Sequence, residues 1–121
     1  IYNSTVENNT FSYNDYSLHI QGADDNIFMK NLVTENTKGI FFCCGAENNI
    51  VFKNQFIDNE EYNAKSNSMN RFDYLGKGNF YSDYNGTDKN SDNIGEEPYY
   101  VFHNENINVT IIDRYPLTKK G

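Results

Sequence analysis

The stretches "NNTFSYN" (Asn8–Asn14), "KNLVTEN" (Lys30–Asn36) and "KNQFIDN" (Lys53–Asn59) are three copies of one pattern, N-x-apolar-x-x-N. Asn falls at 9, 31 and 54 and again at 14, 36 and 59, with the apolar residue at Phe11, Val33 and Phe56, so every column is spaced 22 and then 23 residues apart. The register continues outside the quoted stretches: Leu18 and Ile20 correspond to Ile40 and Phe42, and Asn26-Ile27 to Asn49-Ile50. A repeat of this length, built from brief apolar runs separated by polar turns, has the size of one solenoid coil, about 20–29 residues.

Within each copy, Ile, Leu, Val or Phe alternates with Thr, Lys, Glu or Asp, which is the two-residue period of a strand. Asn, Gly and β-branched residues are too frequent for a helical solenoid, and no helix-length amphipathic stretch occurs. Asn suits a sharp corner because it tolerates positive φ, and stacked Asn side chains can hydrogen-bond along the solenoid axis. The expected fold is therefore all-β: a right-handed parallel β-helix of about three coils over residues 1–62, with an irregular aromatic-rich C-terminal cap over 63–121. The predicted turn ladders run through Asn9, Asn31 and Asn54 and through Asn14, Asn36 and Asn59. The first coil would present an apolar, unpaired end face on its N-terminal side, to be covered by upstream coils or by another protein chain, a second copy among them.

With 121 residues the chain is at most one ordinary domain. Aromatics make up 16% of it, which separates it from disordered polar chains. The net charge of −7 argues against nucleic acid as a partner and suits divalent cations. No apolar run is long enough to span a membrane. Ile1 falls in the middle of a repeat, so the sequence reads as a segment of a longer protein. Sequons at Asn3, Asn8, Asn85 and Asn108 fit glycosylation of a secreted protein. Cys43 and Cys44 are adjacent; neighbours on a strand point to opposite faces, and the expectation is one core thiol and one exposed thiol.

After Asn59 the repeat fades into a polar segment carrying Phe72, Tyr74, Phe80, Tyr81 and Tyr84, which reads either as a cap over the last coil or as a platform for stacking sugar rings. The residues "GNFYSDYNGTDKNSDNIGEEPYYVF" (Gly78–Phe102) and "IDRYPL" (Ile112–Leu117) resemble the C-terminal signature of NosD-like parallel β-helix proteins, also grouped as carbohydrate-binding and sugar-hydrolase repeat proteins. The upstream Asn repeats match that pattern too. The chain departs from it at Phe80-Tyr81, where a Tyr-Trp pair is usual, and at Asn93 and Glu96, where Gly and Asp are usual. The resemblance implies a β-helix of the kind common on archaeal cell surfaces, in a family where some members support copper-site maturation.

Three chemistries are candidates. Asp88, Asn90 and Asp92 have the one-three-five spacing of calcium loops, with the Ile94 carbonyl and Glu96 as further ligands; Tyr99 stands where an EF-hand needs Glu. A calcium site that pins the cap and a metal-free Asx turn both remain open. For glycoside chemistry, Asp24-Asp25, Glu47 and Asp58 form no paired-carboxylate pattern, and both arginines, Arg71 and Arg114, lie outside the regular coils. For copper, His19, Met29, Cys43 and Cys44 are expected in different columns or faces, with Met69 and His103 in the tail. The leading expectation is a non-enzymatic extracellular, cell-surface module with a structural or adhesive role that includes polysaccharide binding. The alternatives are a piece of a carbohydrate-active enzyme and a copper-maturation protein.

Overall fold

The structure is a computed structural model describing residues 3–104 and 110–120. It contains strands and no helix among the described residues. Three strands make each coil: β1 (Thr5–Glu7), β2 (Thr10–Ser12) and β3 (Tyr16–Gln21) in the first; β4 (Ile27–Met29), β5 (Leu32–Thr34) and β6 (Lys38–Cys43) in the second; β7 (Ile50–Phe52), β8 (Gln55–Ile57) and β9 (Tyr62–Ser66) in the third. Each strand pairs in parallel with its counterpart one coil away, giving the sheets β1-β4-β7, β2-β5-β8 and β3-β6-β9. The register is the sequence register: Phe11 sits beside Val33 and Val33 beside Phe56. This is the β-solenoid of about three turns that the repeat predicts.

The core takes one or two apolar residues from each strand of a coil. Phe28, Val33, Ile40, Phe42, Val51, Phe56 and Ala64 are at most 1% exposed. Their first-coil counterparts Val6, Phe11, Leu18 and Ile20 are only half-buried, because no further coil among the described residues covers their outer side.

The residues before the ladder asparagines, and not those asparagines, make the corners. Positive φ belongs to Asn8, Lys30 and Lys53 in one column and to Tyr13, Glu35 and Asp58 in another. The conformational role expected for Asn is thus corrected for the ladder positions, where the amide group itself is what the fold uses. Each Asn Oδ1 accepts both the backbone N–H and the Nδ2 of the Asn one coil earlier: Asn54 Oδ1 takes Asn31 N and Nδ2 at 3.0 Å each. The amide nitrogen then bonds a main-chain carbonyl of the preceding coil, as Asn54 Nδ2 does with Phe28 O at 2.9 Å. Buried polar groups must be paired in this way if they are to be tolerated. Both expected columns form, and a third runs through Asn26, Asn49 and Asn70.

Beyond β9 the solenoid continues in part. Arg71 bridges to Ile50, and β10 (Phe80–Tyr81) adds to the β2-β5-β8 sheet with Tyr81 beside Phe56. Phe72 and Tyr81, at 0% and 1% exposure, close the core. A short antiparallel pair, β11 (Tyr99–Tyr100) with β12 (Ile112–Asp113), lies over it.

Candidate functional site

Two acids end two of the amide ladders. Asn79 continues the first column, and below it Asp113 Oδ2 accepts Asn79 N at 2.8 Å and Nδ2 at 3.3 Å, as another Asn would. Tyr81 and the Tyr115 N–H also donate to this carboxylate. Burial pushes Asp113 up to about 7 while these hydrogen bonds pull the other way. In the second column Asn59 hands on to Asn63, whose Nδ2 donates to Asp83 Oδ1 at 2.8 Å. Tyr99 donates to both Asp83 oxygens and stacks on Tyr81 at 3.6 Å. The motifs "YSDY" and "IDRYPL" therefore carry the ladder terminators. Asp113 and Asp83 went unnoticed in the sequence because neither lies in the repeat register.

The loop Asp88–Glu96 sits against this cap. Asp88 accepts the N–H of Asp92 at 3.2 Å and of Asn93 at 2.9 Å; Asp92 accepts that of Ile94 at 3.0 Å; Glu96 accepts that of Lys89. Asn90 Nδ2 reaches Asp92 Oδ2 at 3.3 Å. Thus Asp88, Asn90 and Asp92 are brought together, and Glu96 is drawn to the same turn through Lys89. Ile94 is held by a bridge to Leu117. The tail fastens the loop through Gly95 N to Pro116 O and Thr118 N to Asn93 O. Among the described residues, no group of three His, Cys, Asp or Glu side chains stands in a metal-holding arrangement.

The most distinctive surface is the outer face of the β3-β6-β9 sheet. Leu18, Ile20, Ile40, Phe42 and Ala64 point inward from these strands. Outside, the register sets His19 beside Phe41 and Phe41 beside Lys65. Rings run across all three coils: Tyr16 stacks on His19 at 5.2 Å, His19 on Phe41 at 5.1 Å, Phe41 meets Tyr62 edge-on at 6.3 Å, and Tyr62 stacks on Phe102 at 6.2 Å. The Lys65 ammonium lies 4.9 Å from the Phe41 ring centre and 5.6 Å from those of Tyr62 and Phe102. At the flank, Lys38 covers Tyr16 and bridges Asp15 and Glu61 at 3.4 and 3.5 Å. Burial lowers the Lys38 pKa, but Asp15 and Glu61 outweigh it and hold it above the ordinary value. Burial pushes the Tyr62 phenol up to about 12. Tyr16 and Phe102 remain 45% and 56% exposed. Of the five cap aromatics that the sequence offers for sugar stacking, Phe72 and Tyr81 are core residues and Tyr74, Phe80 and Tyr84 are half-buried. The exposed rings are divided between the coils, at Tyr13 and Tyr16, and the C-terminal part, at Tyr100, Phe102 and Tyr115; on the coils the sequence signal is His19 and Phe41 in one outward column.

One expectation about sulfur is corrected. One cysteine is buried and one exposed, as expected, Cys43 and Cys44 respectively, but the pair is joined as a disulfide, and no free cysteine remains among the described residues. Cys44 has left the strand, with φ 60°, so strand alternation no longer separates the two side chains. His19 and Cys43 fall in different columns, as expected, His19 pairing with Phe41 and Cys43 with Gln21; their side chains nonetheless approach, with His19 Nε2 3.2 Å from Cys43 Sγ. Met29 is on β4, and His103 bonds the Asn104 carbonyl. Arg71 and Arg114 both approach the buried Asp73, at 3.8 and 3.5 Å. Asp24 accepts the Glu47 N–H. Asn3, Asn8 and Asn85 are exposed; Asn108 lies outside the described residues. Among the described residues, no helix is long and apolar enough to cross a membrane.

An Asn-laddered parallel solenoid closed by acid terminators defines a β-helix module. Residues 1–86 match the family described as "Periplasmic copper-binding protein (NosD)", and the chain belongs to that family. It is similar to the "Probable ABC transporter binding protein NosD" of Stutzerimonas stutzeri, with 29% identity over 84 residues, which is 69% of this chain and 19% of that protein. The chain thus spans about a fifth of that relative's length. No solved structure matches it.

Proposed function

We propose that the chain is part of an exported, non-enzymatic β-helix protein that binds carbohydrate through the outer face of the β3-β6-β9 sheet. The observation that carries this reading is the ring surface from Tyr16 to Phe102 with Lys65 at its centre. Large apolar rings left open to water in a contiguous patch mark an interaction surface. Flat rings offer a face for the C–H side of a sugar, and Lys65, Lys38 and His19 offer hydrogen-bond donors around it. Export is supported by the disulfide, which persists in oxidising compartments, and by the periplasmic description of the family. A binding role rather than hydrolysis is supported by the acids beside this face: Asp15 and Glu61 hold Lys38, and the carboxyl with the raised pKa, Asp113, serves a ladder at the cap. Glycoside hydrolysis needs two carboxyls facing one bond. Adhesion or envelope assembly through bound polysaccharide is the use such a face would serve. A screen of oligosaccharides followed by calorimetry tests it. Phe41→Ala and Tyr62→Ala should weaken binding of the best ligand roughly tenfold each, whereas unchanged affinity would defeat the proposal.

A second reading comes from His19 and the cysteine pair. Reduction by a thiol would place two cysteine thiols beside an imidazole, and soft donors of this kind suit Cu(I). The family's description as copper-binding supports testing it. The reduced chain should take up one Cu(I) against a competing chelator and lose that uptake on Cys43→Ser. Equal uptake by the variant would remove the reading.

A further inference from the structure

A second surface, away from the ring face, is charged against the sign of the whole molecule. The corner between the β1-β4-β7 and β2-β5-β8 sheets forms a groove of about 840 Å³ lined by Lys30, Lys53, Lys77, Lys119 and Lys120. These are five of the ten cationic residues of a chain with net charge −7, and Asp92 is the one acid among the lining residues. Corner geometry does not require this. The next corner has the same backbone, with φ of 59°, 56° and 55°, and places Tyr13, Glu35 and Asp58 where this one, at 61°, 55° and 60°, places Asn8, Lys30 and Lys53. Two corners of one conformation thus carry opposite charge.

Lys30 and Lys53 stack on consecutive coils, joined by the bond from Lys30 N to Lys53 O at 3.2 Å. Coil stacking repeats their charge about every 4.8 Å along the groove. Gly78 takes the next place in this column, its carbonyl accepting the Lys53 N–H, and Lys77 beside it lines the groove together with Lys119 and Lys120 of the tail. Between the lysines lie the amides of Asn8, Asn9 and Gln55 and the Thr10 hydroxyl, with Leu32 and Leu117 as apolar floor.

We infer that this groove binds an acidic polysaccharide, with the lysines meeting its carboxylates and the amides and hydroxyl its sugar hydroxyls. A linear array of cations matches a polymer of regularly spaced anions better than a single small anion. The lining contains no aromatic ring, so it offers nothing for a nucleobase to stack on. The acidic corner of a second copy is the competing occupant on charge grounds. That corner is itself concave, a groove of about 490 Å³ along Glu35 and Asp58, and two hollows make a poor fit.

The site is independent of the ring face, and the experiment keeps them apart. Binding of polygalacturonate oligomers and of neutral dextran to the whole chain is measured by calorimetry at low and high salt. The key variant is Lys30→Asn with Lys53→Asn, because Asn8 shows that this corner accepts Asn at the same φ. Polygalacturonate should bind at low salt and weaken steeply as salt screens the lysines. The double variant should bind it roughly tenfold more weakly or worse while melting as the parent does. Glu35→Gln with Asp58→Asn should leave binding undiminished. Equal affinity of the lysine variant, or equal binding of dextran at this groove, overturns the inference. So does salt-sensitive self-association in sedimentation without polygalacturonate binding, which would assign the groove to a second copy.

Discussion

Replacing Asn54 by Ala is the sharpest test of what holds the coils together. Asn54 is 1% exposed, and its side chain takes part in five hydrogen bonds: with Asn31 N and Nδ2, Phe28 O, Phe52 O and Asn79 Oδ1. Some partners keep a second contact. Asn31 Nδ2 still reaches Val6 O, and Asn79 Oδ1 still accepts Asn54 N. The Asn31 N–H does not, and a stranded buried donor costs about 1–3 kcal/mol. The other lost bonds contribute about 0.5–1.5 kcal/mol each before relaxation, so the total should be of order 3–5 kcal/mol. Asn9 occupies the same column in the first coil but is exposed, and among the described residues its side chain bonds only Glu7 O and Asn31 Oδ1. Asn9→Ala should cost about 1 kcal/mol or less. Urea unfolding followed by far-ultraviolet circular dichroism measures both, and the Asn54 variant should lose roughly 1–3 M in midpoint. Asn54→Leu keeps the volume and should cost as much as Ala if hydrogen bonding is the cause. Similar midpoints for the Asn9 and Asn54 variants, or rescue by Leu, would refute the ladder argument.

Further predictions concern the cap and the close approach of coils. Because the folded Asp113 carboxyl titrates near 7 and its unfolded counterpart near 3.8, the folded state holds the extra proton between these values. Stability from this group is therefore full below about pH 4 and falls as pH rises to about 7, and Asp113→Asn should flatten that slope in unfolding measured across the window. An unchanged slope would show that the carboxylate hydrogen bonds win over burial. The calcium reading of Asp88, Asn90, Asp92, Ile94 and Glu96 predicts a higher melting temperature with excess calcium, reversed by EDTA and absent in Asp88→Ala; no shift leaves the metal-free turn. At Gly39 an added Cβ would fall on the Asn63 carbonyl group of the next coil. Gly39→Ala should therefore destabilise by about 1–3 kcal/mol or more in the same urea assay.

The solenoid was legible because a coil must repeat its inward residues in register, so Phe11, Val33 and Phe56 announce their own stacking. The ladders were legible for the same reason. Their ends were not, since Asp113 and Asp83 substitute for Asn outside any periodicity and only the fold brings them beneath Asn79 and Asn63. The ring face was hidden because outward columns obey no burial constraint: His19 and Phe41 look like chance substitutions until Tyr62 and Phe102 stand beside them. The lysine groove was hidden by arithmetic, a net charge of −7 masking a local excess of cations. The disulfide escaped because strand alternation was applied one residue too far, to Cys44 in the turn.

The proposed function is tested most directly by a crystal structure of the chain with its best-binding neutral oligosaccharide. The account predicts a sugar ring lying flat over Phe41, Tyr62 or Phe102, within reach of the Lys65 ammonium. A sugar seated elsewhere, with the ring face empty, would contradict it.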